Sequence, residues 1–208
     1  MKDVVYIIDD DVSVREGVGD LLRSVGLEVQ TFASGQEFLD TKRADTPGCI
    51  ILDVRLPGRS GLELQKILQN LSIHLPVIFI SAHGDVPISV RAMKSGAIEF
   101  LTKPLREQEL LDAVHAGIER DRARREEAKL IADLRTRYDS LTAREREIMH
   151  LVVTGSVNKQ IAGQASLSEV TVKVHRGHVM QKMRAKSLVD LVRMADRLGV
   201  TAQPARAK

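Results

Sequence analysis

Val4-Val5-Tyr6-Ile7-Ile8-Asp9-Asp10-Asp11 is a short apolar run that stops on three carboxylates. A continuous apolar run of this length reads as a strand buried on both faces. The residues after it carry apolar side chains at Val14, Val18, Leu21, Leu22 and Val25, close to a 3.6-residue period, and Gly26 supplies a helix stop. The strand-helix pair then repeats. Further strands are expected at 28–32, 49–53, 77–80 and 98–101, and helices near 35–43, 60–71 and 86–95, with a last helix starting near 105. Buried strands that alternate with helices predict an α/β unit, a five-stranded parallel sheet covered on both faces. Ligands of such sheets bind beyond the carboxyl ends of the strands.

Those ends carry the chemistry. Asp9, Asp10 and Asp11 follow the first strand, Asp53 closes the third, Ser81 follows the fourth, and Lys103-Pro104 follows the fifth. Crowded carboxylates repel one another, and a hard divalent cation with oxygen ligands relieves the repulsion. A carboxylate can also attack phosphorus and form an acyl phosphate. Such a transfer needs positioning and charge neutralisation, which a metal ion and Lys103 can supply, and Ser81 can donate to a phosphoryl oxygen. Taken singly, each residue has a plainer role: an aspartate at a strand end is usually a turn or cap residue, and Asp11 suits the start of the first helix. Their joint placement at the ends of four strands is the specific signal.

The set Asp9-Asp10, Asp53, Ser81 and Lys103-Pro104 resembles the receiver domain of two-component response regulators, over about residues 3–120. His83-Gly84-Asp85-Val86-Pro87, with Ala97-Ile98-Glu99-Phe100-Leu101-Thr102-Lys103-Pro104, is similar to the FixJ/StyR-like branch of the FixJ/NarL family. The resemblance implies a flavodoxin/CheY-like fold with Asp53 as phosphoacceptor. It implies that Asp9, Asp10, Asp53 and the backbone carbonyl of Arg55 hold Mg²⁺ (or Mn²⁺). It also implies that Ser81 and Phe100 form a switch pair and that the Lys103–Pro104 bond is cis.

Residues 105–137 read as one long helix. Leu110, Leu111, Val114 and Ile118 form a stripe that can pack on the sheet. The stretch 119–127 is too polar for a core and reads as a solvated helix between domains. Leu130, Leu134 and Tyr138 resume a partial stripe, open to a coiled coil in a dimer or, preferably, a spacer, since the middle lacks apolar a and d positions. Four short helices follow. Thr142 and Glu145 form a capping box for the first, and Gly155 stops it. The second starts at Asn158. A tight turn at Ser166-Leu167 leads to the third, capped by Ser168, and Ser187 caps the fourth.

Two helices joined by so short a turn make a helix-turn-helix. On the third helix, Val172, His175, Val179 and Met183 share a core face, and His175 is expected to be a hydrogen-bonded packing residue. Lys173, Val174, Gly177 and Gln181 share the opposite face, with Arg176 between. That face suits the major groove, where Lys173 reads guanine or phosphate and Val174 touches a thymine methyl. Asn158 and Lys159 at a helix start suit phosphate. No His/Cys spacing here suggests zinc. Leu188, Leu191, Val192 and Ala195 of the fourth helix serve as core and as a dimer seam.

Leu141-Thr142-Ala143-Arg144-Glu145, Asn158-Lys159-Gln160-Ile161-Ala162 and Val170-Thr171-Val172-Lys173-Val174-His175 resemble the LuxR/GerE-type DNA-binding domain over about 140–200. Ala165-Ser166 departs from a frequent Leu-Gly at the turn, and Gly177 offers no side chain where the family often reads DNA. The resemblance adds Thr171 to the DNA-contacting set of Asn158, Lys159, Lys173, Val174, Arg176 and Gly177, with His178 as a further candidate.

The organisation expected is therefore a receiver at 1–120, a helical linker at 121–139, a DNA-binding domain at 140–200 and a disordered tail at 201–208. Charge agrees with the division. Residues 1–120 hold 13 Lys/Arg against 18 Asp/Glu, and residues 121–208 hold 18 against 10. The acidic part suits a metal ion and the basic part a phosphate backbone. One cysteine excludes an intramolecular disulfide, and neither a secretory signal nor a membrane-length apolar run is found, so the cytoplasm is the expected compartment. An enzyme that turns over an aspartyl phosphate needs a second acid two residues after its nucleophile, and Arg55 stands there. A docking module on a constitutive DNA-binding protein is the other alternative. The partners expected are double-stranded promoter DNA, a sensor histidine kinase, RNA polymerase and a second copy of the chain once phosphorylated.

Overall fold

The computed structural model describes residues 2–82 and 86–200. The expected disordered tail and the His83-Gly84-Asp85 stretch lie outside the described residues. The elements run β1 (Val4–Ile8), α1 (Val12–Ser24), β2 (Glu28–Phe32), α2 (Gly35–Asp40), β3 (Gly48–Asp53), α3 (Gly61–Asn70), β4 (Val77–Ser81), α4 (Val86–Lys94), β5 (Glu99–Thr102) and α5 (Glu107–Asp139). Then follow α6 (Ala143–Val153), α7 (Asn158–Ala165), α8 (Glu169–Met183) and α9 (Leu188–Arg197). One compact unit ends at Arg125 and the other begins at Glu126.

The sheet is parallel throughout, in the order β2-β1-β3-β4-β5. Strand alternation sends neighbouring residues to opposite faces. Val4, Tyr6, Ile8, Ile50, Leu52 and Phe79 meet Phe38, Leu64, Leu68 and Ala92 on one face. Val5, Ile7, Cys49, Ile51, Ile78 and Ile80 meet Val18, Leu22, Leu110, Val114 and Ile118 on the other. Burial of both faces explains the near-continuous Val/Ile/Leu runs. The chain reverses its order across the sheet at β1 and β3, and such a switch point opens a crevice at the strand ends.

Several boundaries differ from the sequence reading by one or two residues: β3 opens at Gly48, β4 reaches Ser81, α3 and α4 are slightly shorter than expected, and α5 runs from Glu107 to Asp139. β5 lies one residue later, at Glu99–Thr102, and α2 stops at Asp40. Thr41 has an extended backbone there and its N–H bonds back to the Phe38 carbonyl. The Lys103–Pro104 peptide is cis.

The polar stretch after Ile118 is not wholly solvated. Asp121 is fully buried. Its carboxylate accepts from Arg124 at 2.7 and 3.0 Å, from Arg125 Nε at 2.6 Å and from the Gly48 N–H at 3.2 Å. Arg122 binds both oxygens of Asp3, and Arg125 also reaches Asp45. A buried charge held by several donors satisfies the demand that burial makes on it. Helix α5 is thereby tied to the sheet through Arg125.

In the second unit, Leu141, Ile148, Met149, Val152, Ile161, Val172, Val179, Met183, Leu191 and Ala195 form the core, with Tyr138 packed against it. Leu134 is buried too. The Thr142–Glu145 capping box is complete in both directions. Glu145 also accepts from Lys182 Nζ at 2.6 Å. That ammonium, with the Thr142 hydrogen bonds, holds the Glu145 carboxyl at about 2, against the opposing effect of burial. His175 is half-buried, and its Nδ1 is buried with no hydrogen-bond partner among the described residues, so that atom lacks the expected hydrogen bond. One His175 ring nitrogen lies within 4.8 Å of a carboxylate oxygen of Glu145 and a ring nitrogen of His178.

Candidate functional site

Asp9 follows β1, Asp53 ends β3, Ser81 ends β4 and Lys103 follows β5, so the parallel sheet delivers all four to one rim. Asp9 is fully buried and Asp53 and Ser81 nearly so, while Asp10 is exposed. One carboxylate oxygen from each of Asp9, Asp10 and Asp53 lies within 4.8 Å of the others. Lys103 Nζ bridges the group, 2.7 Å from Asp9 Oδ2 and 3.1 Å from Asp53 Oδ2. The Asp11 N–H donates to Asp9 Oδ1 and the Arg55 N–H to Asp53 Oδ1. Asp11 itself caps α1 through the Ser13 N–H.

The electrostatics follow from this geometry. Burial lifts the Asp9 carboxyl above its usual range; the Asp53 charge adds to this, and Lys103 and the Asp11 N–H oppose it. For Lys103, burial acts to lower the pKa, but the hydrogen bonds to Asp9 and Asp53 outweigh it and hold the ammonium above its ordinary value. Three carboxylates against one ammonium leave an excess of two negative charges, the amount one divalent cation neutralises. The donor set is all oxygen, which fits Mg²⁺ or Mn²⁺. Arg55 heads the loop beyond Asp53, its side chain exposed.

Ser81 and Phe100 stand on neighbouring strands. The β4–β5 register pairs Phe79 with Phe100 and Ser81 with Thr102. Phe100 is half-buried, its ring centroid 6.5 Å from that of Phe79. Gly61 opens α3 with its backbone against Asp53: a Cβ there would stand 2.2 Å from the Asp53 carbonyl oxygen. Sequence reading missed this close approach, because nothing in the spacing of Gly61 from Asp53 signals it.

In the second unit, α7 and α8 are joined through Ser166, which takes a left-handed conformation at φ +52°. Val172, Val179 and Met183 are buried, while Lys173, Val174, Gly177 and His178 are exposed. Thr171 is half-buried and joined to the Ser168 cap through its N–H and its hydroxyl. Asn158 is half-buried and accepts from Arg176, and Lys159 beside it is exposed. Asn158, Lys159 and Arg176 line one groove. Lys173, Val174 and Gly177 thus share an open helix face, and Thr171 lies toward the helix start. The functional reading of the sequence overlooked the grouping of Glu145 with His175 and His178, which depends on how α6 packs on α8.

Comparison with known proteins gives two family matches. The response regulator receiver domain matches residues 5–115, and the luxR family of bacterial regulatory proteins matches residues 139–195. The chain is 53% identical to Nodulation protein W of Bradyrhizobium diazoefficiens over 201 residues, covering 97% of this chain and 88% of that protein. It is 46% identical to the response regulator protein TodT of Pseudomonas putida over 195 residues, covering 94% and 86%. Among solved structures, the response regulator StyR superposes with a TM-score of 0.84 at 48% identity, over 95% of this chain and 100% of that one. Its relatives are transcription factors and not enzymes. A receiver fold with its carboxylate rim, a helix-turn-helix unit and these matches together place the chain in the family of two-component response regulators with a LuxR-type DNA-binding domain.

Proposed function

We propose that Asp53 is the phosphoacceptor of a Mg²⁺-dependent switch that controls DNA binding by α7 and α8. The observation that carries this reading is Lys103 Nζ bridging Asp9 and Asp53 at a rim that gathers three carboxylates. An oxygen of Asp53 attacks the phosphorus of a phosphohistidine on a sensor kinase. The new P–O bond forms as the P–N bond breaks, and the imidazole leaves as the neutral base after taking a proton. Lys103 neutralises charge on the phosphoryl oxygens, and the Arg55 N–H orients the attacking carboxylate. Asp9, Asp10, Asp53 and the Arg55 carbonyl would hold Mg²⁺, whose charge offsets the remaining negative charge of the rim. Ser81 closes onto the phosphoryl group and Phe100 turns in behind it, next to Phe79.

The switched surface is the α4-β5-α5 face. Helix α4 leaves Val86, Val90 and Met93 exposed, a set of apolar side chains suited to a second copy of the chain. Exposed Leu188 and Val189 on α9 suit pairing of the DNA-binding unit, since a helix-turn-helix binds paired half-sites as a dimer. Double-stranded promoter DNA, a sensor histidine kinase and RNA polymerase are the proposed partners, with the cytoplasm as the setting. No helix among the described residues is long and apolar enough to cross a membrane.

The test is incorporation of labelled phosphate from a small acyl phosphate in the presence of Mg²⁺. Wild-type chain takes up one acid-labile phosphoryl group, and Asp53→Asn takes up none. Label retained on the variant would reject Asp53 as the acceptor.

A further inference from the structure

We propose that Glu145, His175 and His178 form a site for a borderline divalent transition metal ion such as Zn²⁺. Glu145 lies on α6, and the two histidines lie one turn apart on α8. Residues three apart on a helix share a face. One donor atom from each of the three lies within 4.8 Å of the others. Rotation of His178, whose side chain is 54% exposed, can draw the set together.

Glu145 uses Oε2 for the Thr142 N–H at 2.8 Å and Lys182 Nζ at 2.6 Å. Its Oε1 faces His178 Nδ1 at 3.6 Å, too far for a hydrogen bond. His175 Nδ1 is buried with no partner among the described residues. A buried polar atom without a partner calls for a water or an ion to complete it. The two imidazole rings are nearly perpendicular, with centroids 6.4 Å apart.

The chemistry of the set selects the ion. Two imidazoles and one carboxylate prefer Zn²⁺, Ni²⁺, Co²⁺ or Cu²⁺ to Mg²⁺ or Ca²⁺. Three protein ligands leave a coordination position open to solvent, on the side where His178 is exposed. Lys182 holds the far oxygen of Glu145 and orients the near one. Its ammonium also repels a cation, which makes the bound ion exchangeable. Metal would then clamp α6 to α8, the helix proposed to enter the groove, and would engage His178 beside Gly177.

The experiment is a Co²⁺ titration of the full chain, followed by visible d–d absorption, with excess Mg²⁺ present to occupy the carboxylate rim. Wild type is expected to give a ligand-field band that saturates near one Co²⁺ per chain and is displaced by Zn²⁺. His178→Ala should weaken apparent affinity by more than about tenfold, since even second-shell changes cost 10- to 100-fold. His175→Gln should do the same. Zn²⁺ should raise the unfolding midpoint of the wild type and leave that of His178→Ala unmoved. No band in wild type, or variants that titrate like wild type, would overturn the site. Should His175→Gln fail to fold, the exposed His178→Ala still decides the matter.

Discussion

Lys103 is the residue on which the rim depends. Its ammonium pairs with both the buried Asp9 and the nearby Asp53, and its loss would leave their mutual repulsion without that side-chain cation. Lys103→Met is therefore predicted to slow phosphoryl transfer to Asp53 by about a hundredfold, the loss typical of removing one charge-stabilising donor. Single-turnover labelling would measure it, and an unchanged rate would exclude the role. Cys49 marks the opposite case. Burial, aided by the Asp121 charge, pushes its thiol up to about 12. A thiol so far from ionisation is a poor nucleophile. Iodoacetamide should label Cys49 only in denaturant; rapid labelling of the folded chain would contradict the packing described. At this scale the rim was legible in sequence because a parallel sheet gathers every strand end on one edge. The grouping of Glu145 with His175 and His178 was not, because two of its members share a helix and the third arrives only through the packing of α6 on α8.

Elements add constraints that spacing does not reveal. Ser166 holds a left-handed backbone at φ +52° between α7 and α8, a conformation that costs a residue with a Cβ about 1 kcal/mol or more. Ser166 thus holds, at some cost in stability, a conformation that glycine adopts freely. Ser166→Gly is expected to raise the melting temperature of the DNA-binding unit; a fall would show that the Ser166 side chain does more than the backbone needs. Gly61→Ala should act in the other direction. Its Cβ would stand 2.2 Å from the Asp53 carbonyl oxygen, so β3 or α3 must shift, at about 1–3 kcal/mol. Lower stability together with slower phosphorylation is the expected pair of effects, and a variant unchanged in both would refute the close approach. The periods of α1, α6 and α8 made these helices readable from residue type alone. The stretch after Ile118 was not: its charges read as a solvated surface, whereas Asp121 is buried and gathers Arg124, Arg125 and the Gly48 N–H.

At the scale of the molecule, charge and function divide together. Residues 1–120 carry a net charge of −5 and residues 121–208 a net +8. DNA binding by the basic part should therefore weaken steeply with salt, and Lys159→Ala should lower the salt slope by about one while weakening all sequences alike. Lys173→Ala should instead relax discrimination at one base pair. The most direct measurement is a genomic DNA pull-down with the purified chain, with and without Mg²⁺ and a small acyl phosphate. Enrichment of particular promoters only after phosphorylation is the predicted result. Equal enrichment in both conditions would keep the DNA-binding unit and contradict the receiver as its gate.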